Sequence, residues 1–139
     1  MMGSIHKEFS VAAPADRVWA ALADFGALAT RLAPGFVTAC CLENDGARTV
    51  TFSNGTVARE ILVDCDTERR RLVYAVVSGQ LTQHSASAQV LAEGDSACRF
   101  VWIADFLPNA FGGYLAAQME LGVAAMKAAL EKEAPAAVP

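Results

Sequence analysis

Three polar side chains lie within otherwise apolar segments and could carry out chemistry: Arg59, Tyr74 and His84. Histidine titrates near neutral pH, so His84 could move a proton to or from a carbonyl compound. Tyr74 could donate a hydrogen bond to a carbonyl or phenolate oxygen, and Arg59 could clamp a ligand carboxylate. Each also has a structural interpretation: a hydrogen-bonded histidine near a strand end, a core tyrosine whose hydroxyl reaches water, and an arginine paired with an acidic residue at the sheet rim.

The sequence lacks the patterns of a metal site and of the commoner catalytic motifs. His6 and His84 lie far apart and no C-x-x-C pair is present, so we predict neither a metal nor a cofactor. Gly112-Gly113 lacks the lysine and the spacing of a phosphate-binding loop, and no G-x-S-x-G hydrolase motif occurs. The four cysteines lie in apolar runs and are expected to be buried.

Composition and charge limit the classes to which the chain can belong. Its 139 residues are 54% hydrophobic and 19% charged, which suits one domain over residues 1–139 with its own core. A net charge of −4 with scattered basic residues argues against nucleic acid as a partner. No apolar stretch approaches the roughly 20 residues of a membrane span, so no stable membrane insertion is expected. Residues 1–10 lack a signal-peptide core, which predicts a cytoplasmic protein. We expect a monomer or a weak homodimer.

The order of elements predicts an α+β fold with an antiparallel sheet. One strand is followed by a helix that begins at Pro14 and by a second short helix over 24–32. Tight turns such as Asn54-Gly55 then separate runs with a period of two, so consecutive strands pair as hairpins. The predicted strands cover 5–12, 36–43, 47–53, 56–64, 72–78, 82–92 and 97–106, a final helix runs from Asn109 to about Glu133, and the tail 134–139 is expected to fray.

The final helix predicts where a site would lie. Leu115, Met119, Gly122 and Met126 are three or four residues apart and form one apolar stripe. A single long helix after a run of antiparallel strands can pack on the concave face of the sheet, and two such surfaces can leave a cavity between them. Methionine side chains adapt to irregular shapes, which suits a cavity wall.

Register within the last hairpin predicts which side chains face this cavity. A turn at Glu93-Gly94-Asp95 would place Trp102 opposite Ala86 on the apolar, inner face of the sheet. Counting back through the earlier turns places Arg59 and Ile61 on the same face. The predicted ligand contacts are Ile61, Tyr74, His84, Ala86, Ala88, Phe100, Trp102, Ala104, Leu115, Met119, Val123 and Met126.

The chain resembles the helix-grip superfamily (SRPBCC) that includes START lipid-transfer domains, pollen-allergen-like proteins and bacterial polyketide cyclase/dehydrase-like proteins. The resemblance lies in VAAPADRVWAALADFGALATRLAPGF (11–36), in TVAREILVDCDTERRRLVYAV (56–76), in the last hairpin and in the final helix. It is closest to the polyketide cyclase/dehydrase-like bacterial branch. It implies a seven-stranded curved antiparallel sheet around the C-terminal helix, two short helices between strands 1 and 2, and a hydrophobic ligand between sheet and helix.

Three functions remain open at this point. The first is binding of a small hydrophobic or aromatic molecule, lipid- or polyketide-like, in the cavity. The second is an enzyme of the cyclase or dehydrase type, a lyase or isomerase without a metal, with His84 as acid/base, Tyr74 as hydrogen-bond donor and Arg59 orienting an acidic group. The third is an interaction module whose cavity is filled by side chains.

Overall fold

Seven antiparallel strands and a long C-terminal helix dominate the computed structural model, which describes residues 1–133. A 3₁₀ turn (Phe25–Ala27) and a π-helical turn (Leu28–Leu32) occupy the place of the second predicted short helix. The predicted fraying of 134–139 lies outside the described residues. No helix among those described is long and apolar enough to cross a membrane. The elements are β1 (Gly3–Val11), α1 (Ala15–Ala23), β2 (Val37–Leu42), β3 (Arg48–Phe52), β4 (Val57–Asp66), β5 (Arg71–Val77), β6 (Gln83–Ala92), β7 (Cys98–Leu107) and α2 (Gly112–Glu133).

The strands form one sheet in the order β1-β7-β6-β5-β4-β3-β2, and every neighbouring pair is antiparallel. Three of the hairpin turns contain a glycine with positive φ: Gly46 at 88°, Gly55 at 87° and Gly94 at 79°. Residues with a Cβ rarely adopt such angles, which is why these turns were recognisable in the sequence. The predicted helix-grip arrangement is confirmed.

A β-bulge in β4 reverses part of the predicted facing. Leu62 pairs with Tyr74 and Asp64 pairs with Val73, so Val63 is an extra, unpaired residue. Beyond such a bulge every side chain changes face relative to a regular count. The prediction that Arg59 and Ile61 face inward is therefore wrong; Ala58 and Glu60 line the inner face instead.

The last hairpin differs from the predicted register by two residues. Trp102 pairs with Ala88, and Ala86 pairs with Ala104. A shift of two residues keeps every side chain on its face, so the inner face remains as predicted. The expectation that all four cysteines are buried is correct only for Cys98, because Cys40 is partly buried and Cys41 and Cys65 are exposed.

Helix α2 lies across the concave face and is tied to the edge strand β1 and to the residues after it. Lys7 of β1 forms an ion pair with Glu120 at 2.7 Å, and the backbone N–H of Ala12 donates to Glu131 at 2.9 Å. The opposite side of the helix packs on the sheet through a stripe that includes Met119 and Met126, both 4% exposed. These contacts fix the distance at which the helix stands from the sheet.

Candidate ligand-binding cavity

A cavity of about 510 Å³ lies between α2 and the inner face of the sheet. One end is formed by the apolar residues after α1, among them Leu28 and Leu32. The other end is formed by exposed or partly exposed residues at three places: the β3–β4 turn, the β5–β6 loop and the first turn of α2. This open volume does not fit an interaction module whose interior is filled by side chains.

Most residues predicted to contact a ligand lie together on the walls of this cavity. The side chains come from β5, β6, β7 and α2, so four elements converge on one space. Their contact with a ligand remains a prediction. The predicted residues that line the cavity are Tyr74, His84, Ala86, Ala88, Phe100, Trp102, Ala104, Leu115, Met119 and Met126.

Three predicted residues lie elsewhere. Arg59 is on the outer face, where its Nε donates to Glu43 at 3.0 Å and its guanidinium also contacts Asp45. Ile61 is on the same outer face and is 37% exposed, as the bulge in β4 requires. Val123 is only partly buried, on the flank of the stripe that lines the cavity, and is not itself part of the lining.

Sequence reasoning missed a buried ion pair in the cavity wall, between Arg48 of β3 and Glu60 of β4. Arg48 is 3% exposed and Glu60 is 5% exposed. The Nε and Nη2 of Arg48 donate to Oε1 of Glu60 at 2.9 Å and 2.7 Å, and Nη1 donates to the carbonyl oxygen of Phe25 at 3.0 Å. The guanidinium carbon also lies 3.8 Å from the centre of the Phe25 ring, a cation–π contact.

A signal for Arg48 was present in the sequence. Arg48, Val50 and Phe52 alternate along one strand, so a strand that turns the apolar Val50 and Phe52 toward the core places Arg48 on the same face. Its partner Glu60 could not be found in this way, because the bulge at Val63 reversed the facing of its strand.

Burial and charge set the protonation of the polar groups in the wall. Burial raises the pKa of the Glu60 carboxyl, and the Arg48 guanidinium opposes that rise. Burial and the nearby Glu60 raise the pKa of Tyr74, so its hydroxyl keeps its proton. Burial lowers the pKa of His84, which favours the neutral imidazole at neutral pH.

The hydroxyl oxygen of Tyr74 is held in place by one hydrogen bond. The indole Nε1 of Trp102 donates a hydrogen bond to Tyr74 Oη at 3.0 Å. With that oxygen accepting, the hydroxyl proton of Tyr74 is available to another acceptor. The imidazole of His84 has no side-chain hydrogen bond among the described residues, and His84 lies diagonally across from Tyr74, since Ala86 is the residue that pairs with Tyr74. Diagonal partners of this kind have Cα atoms roughly 7–8 Å apart.

A hydrogen bond crosses the mouth of the cavity. Asn54, at the tip of the β3–β4 turn, donates through Nδ2 to the hydroxyl of Tyr114 in the first turn of α2 at 2.8 Å. Both residues line the cavity, and Tyr114 is 46% exposed. No group of three or more His, Cys, Asp or Glu side chains that could hold a metal ion occurs in the described part of the chain.

A curved antiparallel sheet that holds a C-terminal helix over an apolar cavity defines the helix-grip class of proteins. Residues 2–135 match the family described as polyketide cyclase/dehydrase and lipid transport, and the chain belongs to that family. No curated protein matches the chain in sequence.

Solved structures share this fold over nearly their whole length. The Zhui aromatase/cyclase from Streptomyces sp. R1128 has a TM-score of 0.79 at 20% identity, covering 97% of this chain and 94% of that one. Norcoclaurine synthase from Thalictrum flavum, in complex with dopamine and hydroxybenzaldehyde, has a TM-score of 0.76 at 22% identity, covering 100% and 90%. A START superfamily protein from Mycobacterium smegmatis has a TM-score of 0.72 at 17% identity, covering 97% and 99%. At these identities the similarity establishes the fold.

Proposed function

We propose that the protein binds a small hydrophobic or aromatic molecule, lipid- or polyketide-like, in the cavity between α2 and the sheet. The observation that carries the proposal is the cavity of about 510 Å³ with mostly apolar walls. Small-molecule sites typically enclose roughly 300–1,000 Å³ and combine apolar walls with a few polar groups. The family to which the chain belongs, described by cyclase/dehydrase activity and lipid transport, supports the same class of ligand.

The side chains of the walls suit an apolar guest. Ala86, Ala88 and Ala104 lie on neighbouring strands and leave space that larger residues would fill. Met119 and Met126 lie across from them on α2, and their flexible thioether side chains can adjust to the shape of a ligand. Burial of each methylene-sized part of a ligand against such walls stabilises the complex by about 0.8 kcal/mol.

A titration with a neutral fluorescent probe, N-phenyl-1-naphthylamine, tests this proposal. We expect saturable binding by the wild-type protein and its loss in Ala86→Phe, which places a ring in the cavity. Ala75→Phe is the matched control, because Ala75 lies on the same sheet but on the outer face, opposite Ile61 and Ser85. Equal binding by the two variants, or no saturable binding by the wild type, would contradict a ligand-binding cavity.

A second candidate is a cyclase or dehydrase that uses the same cavity. The observation that favours it is the presence of His84 and Tyr74 on neighbouring strands in an apolar space. Neutral His84 could remove a proton from the carbon next to a carbonyl group, while the Tyr74 hydroxyl donates a hydrogen bond to the carbonyl oxygen. The predicted orienting residue Arg59 has no part in this, since it lies on the outer face; Arg48 is the arginine in the wall.

The catalytic candidate is tested with a poly-β-ketone substrate, by following its cyclisation with liquid chromatography. His84→Ala should abolish turnover, and Tyr74→Phe should lower it, while both variants still bind N-phenyl-1-naphthylamine. Unchanged turnover in His84→Ala would remove this histidine from the mechanism. Binding without any turnover by the wild type would leave the binding function and reject the catalytic one.

A further inference from the structure

The stripe of α2 that lines the cavity is interrupted by a glycine. Leu115, Met119 and Met126 each contribute a side chain to the wall, whereas Gly122 contributes only backbone. A Cβ at position 122 would lie 3.0 Å from Cζ3 and 3.1 Å from Cη2 of Trp102. It would also lie 3.1 Å from Cε2 of Phe36. Two aromatic rings therefore pack directly against the helix backbone at this position.

Both rings are also held from their other side. The indole of Trp102 reaches from α2 to β5, where its Nε1 donates to Tyr74 Oη at 3.0 Å. The ring of Phe36 makes an edge-on contact with Phe52, with centroids 5.3 Å apart and planes at 60°. All four aromatic residues line the cavity. Since the cavity lies between the helix and the sheet, any atom added at Gly122 must either move these rings into the cavity or lift the helix.

Helix propensity argues against a glycine here on local grounds. Gly122 lies in the middle of a 22-residue helix, where glycine is about 1 kcal/mol less favourable than alanine. The close approach of the Trp102 and Phe36 rings is the structural reason for the residue.

We propose that Gly122 determines the size of the molecule that the cavity accepts, by setting how close the Trp102 indole lies to helix α2. The inference rests on the proposed binding function. A bare helix backbone at this position lets the indole lie close to α2 and leaves the space beside it to a ligand, in a cavity whose volume of about 510 Å³ lies within the roughly 300–1,000 Å³ typical of small-molecule sites. A Cβ at 122 would push the indole away from α2 by a few tenths of an ångström, which narrows the cavity and favours smaller rings.

Competition experiments with phenols of increasing size test the proposal. In each titration, phenol, 2-naphthol or 2-hydroxyanthracene is added to displace bound N-phenyl-1-naphthylamine. The apparent affinity of each phenol is then compared between the wild type and Gly122→Ala. Gly113→Ala is the matched control, because it lies in the same helix and a Cβ there meets nothing within 4 Å. Both changes replace a glycine of α2 by alanine, but only the change at 122 brings a Cβ against the two aromatic rings.

We expect Gly122→Ala to lose affinity for 2-hydroxyanthracene about ten-fold, the order of an overpacking penalty, while its affinity for phenol changes less than about two-fold. Gly113→Ala should match the wild type for all three competitors. Addition of Trp102→Phe to Gly122→Ala removes the colliding part of the indole and should restore binding of the three-ring phenol. If Gly122→Ala alone folds poorly, the double variant with Trp102→Phe still tests whether the indole is the group with which a side chain at 122 collides.

The outcomes separate the inference from the proposed function. Wild-type binding of all three phenols with the same relative affinities in Gly122→Ala would overturn the inference and leave the binding function intact. A uniform loss for every competitor that Trp102→Phe does not restore would also overturn it. No binding of any phenol or of N-phenyl-1-naphthylamine by the wild type would overturn both.

Discussion

The substitution Arg48→Met tests how strongly the buried ion pair supports the cavity wall. It removes both hydrogen bonds to Glu60 and the 3.0 Å hydrogen bond to the Phe25 carbonyl. The side chain of methionine has a similar length, so the packing volume is largely kept while the charge is lost. Glu60, which is 5% exposed, then remains as a buried carboxyl without a counter-charge.

The expected loss is large. Removal of one partner of a buried ion pair costs about 3–5 kcal/mol, because the remaining charge stays desolvated. The lost hydrogen bond to the Phe25 carbonyl falls within that range, since a net hydrogen bond contributes about 1 kcal/mol. We therefore expect the free energy of unfolding to fall by about 4 kcal/mol at neutral pH, a substantial fraction of the 5–15 kcal/mol typical of a domain.

The loss should depend on pH with a defined sign. Burial already raises the pKa of Glu60 above its ordinary value of 4.5, and removal of Arg48 takes away the group that opposes this rise. A carboxyl whose folded-state pKa is raised favours folding below its unfolded pKa, and this contribution disappears as pH rises through the folded pKa. The destabilisation by Arg48→Met should therefore be smaller near pH 5 than near pH 8.

Equilibrium urea denaturation followed by circular dichroism measures these changes. Arg59→Met is the control, because Arg59 forms ion pairs with Glu43 and Asp45 on the outer face of the same sheet. Surface pairs contribute little, so this variant should lose far less stability than Arg48→Met. Arg48→Met combined with Glu60→Leu should recover about 2 kcal/mol relative to Arg48→Met alone, since the uncompensated carboxyl is gone. Equal losses for the two arginine variants, or no recovery, would refute the reasoning.

Three further expectations concern the cavity mouth, His84 and the cysteines. Tyr114→Phe removes the 2.8 Å hydrogen bond from Asn54 across the cavity mouth. Stopped-flow fluorescence should then show that N-phenyl-1-naphthylamine associates and dissociates faster, by similar factors. Unchanged rates would show that this hydrogen bond does not control entry of a ligand into the cavity. Burial lowers the pKa of His84, so the contribution of the neutral imidazole to stability is present above about pH 6.5 and is lost as pH falls through the folded-state pKa. His84→Gln should therefore flatten the dependence of the free energy of unfolding in urea on pH below about pH 6.5. An unchanged slope would contradict this. A thiol reagent should modify the exposed Cys41 in the native protein, but it should modify the buried Cys98 only on unfolding, since burial also raises the pKa of the Cys98 thiol. Equal rates of modification would contradict the burial of Cys98.

Local signals in the sequence were sufficient for the fold. The glycines at 46, 55 and 94 adopt the positive φ angles that hairpin turns require, so the strand boundaries and antiparallel pairing could be predicted. The predicted inner face of the last hairpin is correct although the predicted register is wrong by two residues, because side chains in a strand alternate between faces with a period of two.

Features that depend on tertiary context could not be predicted in the same way. The bulge at Val63 has no glycine or proline to mark it, and it reversed the facing of Arg59 and Ile61. The pairing of Arg48 with Glu60 could be predicted only with the correct facing of both β3 and β4. A single charge in an apolar wall is not expected, because burial of an unpaired charge is costly. The size of the cavity depends on how far α2 stands from the sheet, and that distance rests on contacts between residues far apart in the sequence, such as the ion pair of Lys7 with Glu120.

The most direct test of a ligand-binding cavity uses the methyl groups of the four methionines. Met119 and Met126 line the cavity, whereas Met1 and Met2 are 99% and 52% exposed at the N-terminus. In a protein labelled with ¹³C at the methionine methyl groups, titration with N-phenyl-1-naphthylamine should shift the Met119 and Met126 signals to saturation and leave the other two unchanged. Unchanged signals for Met119 and Met126, or equal shifts of all four methyl groups, would contradict binding between the sheet and the C-terminal helix.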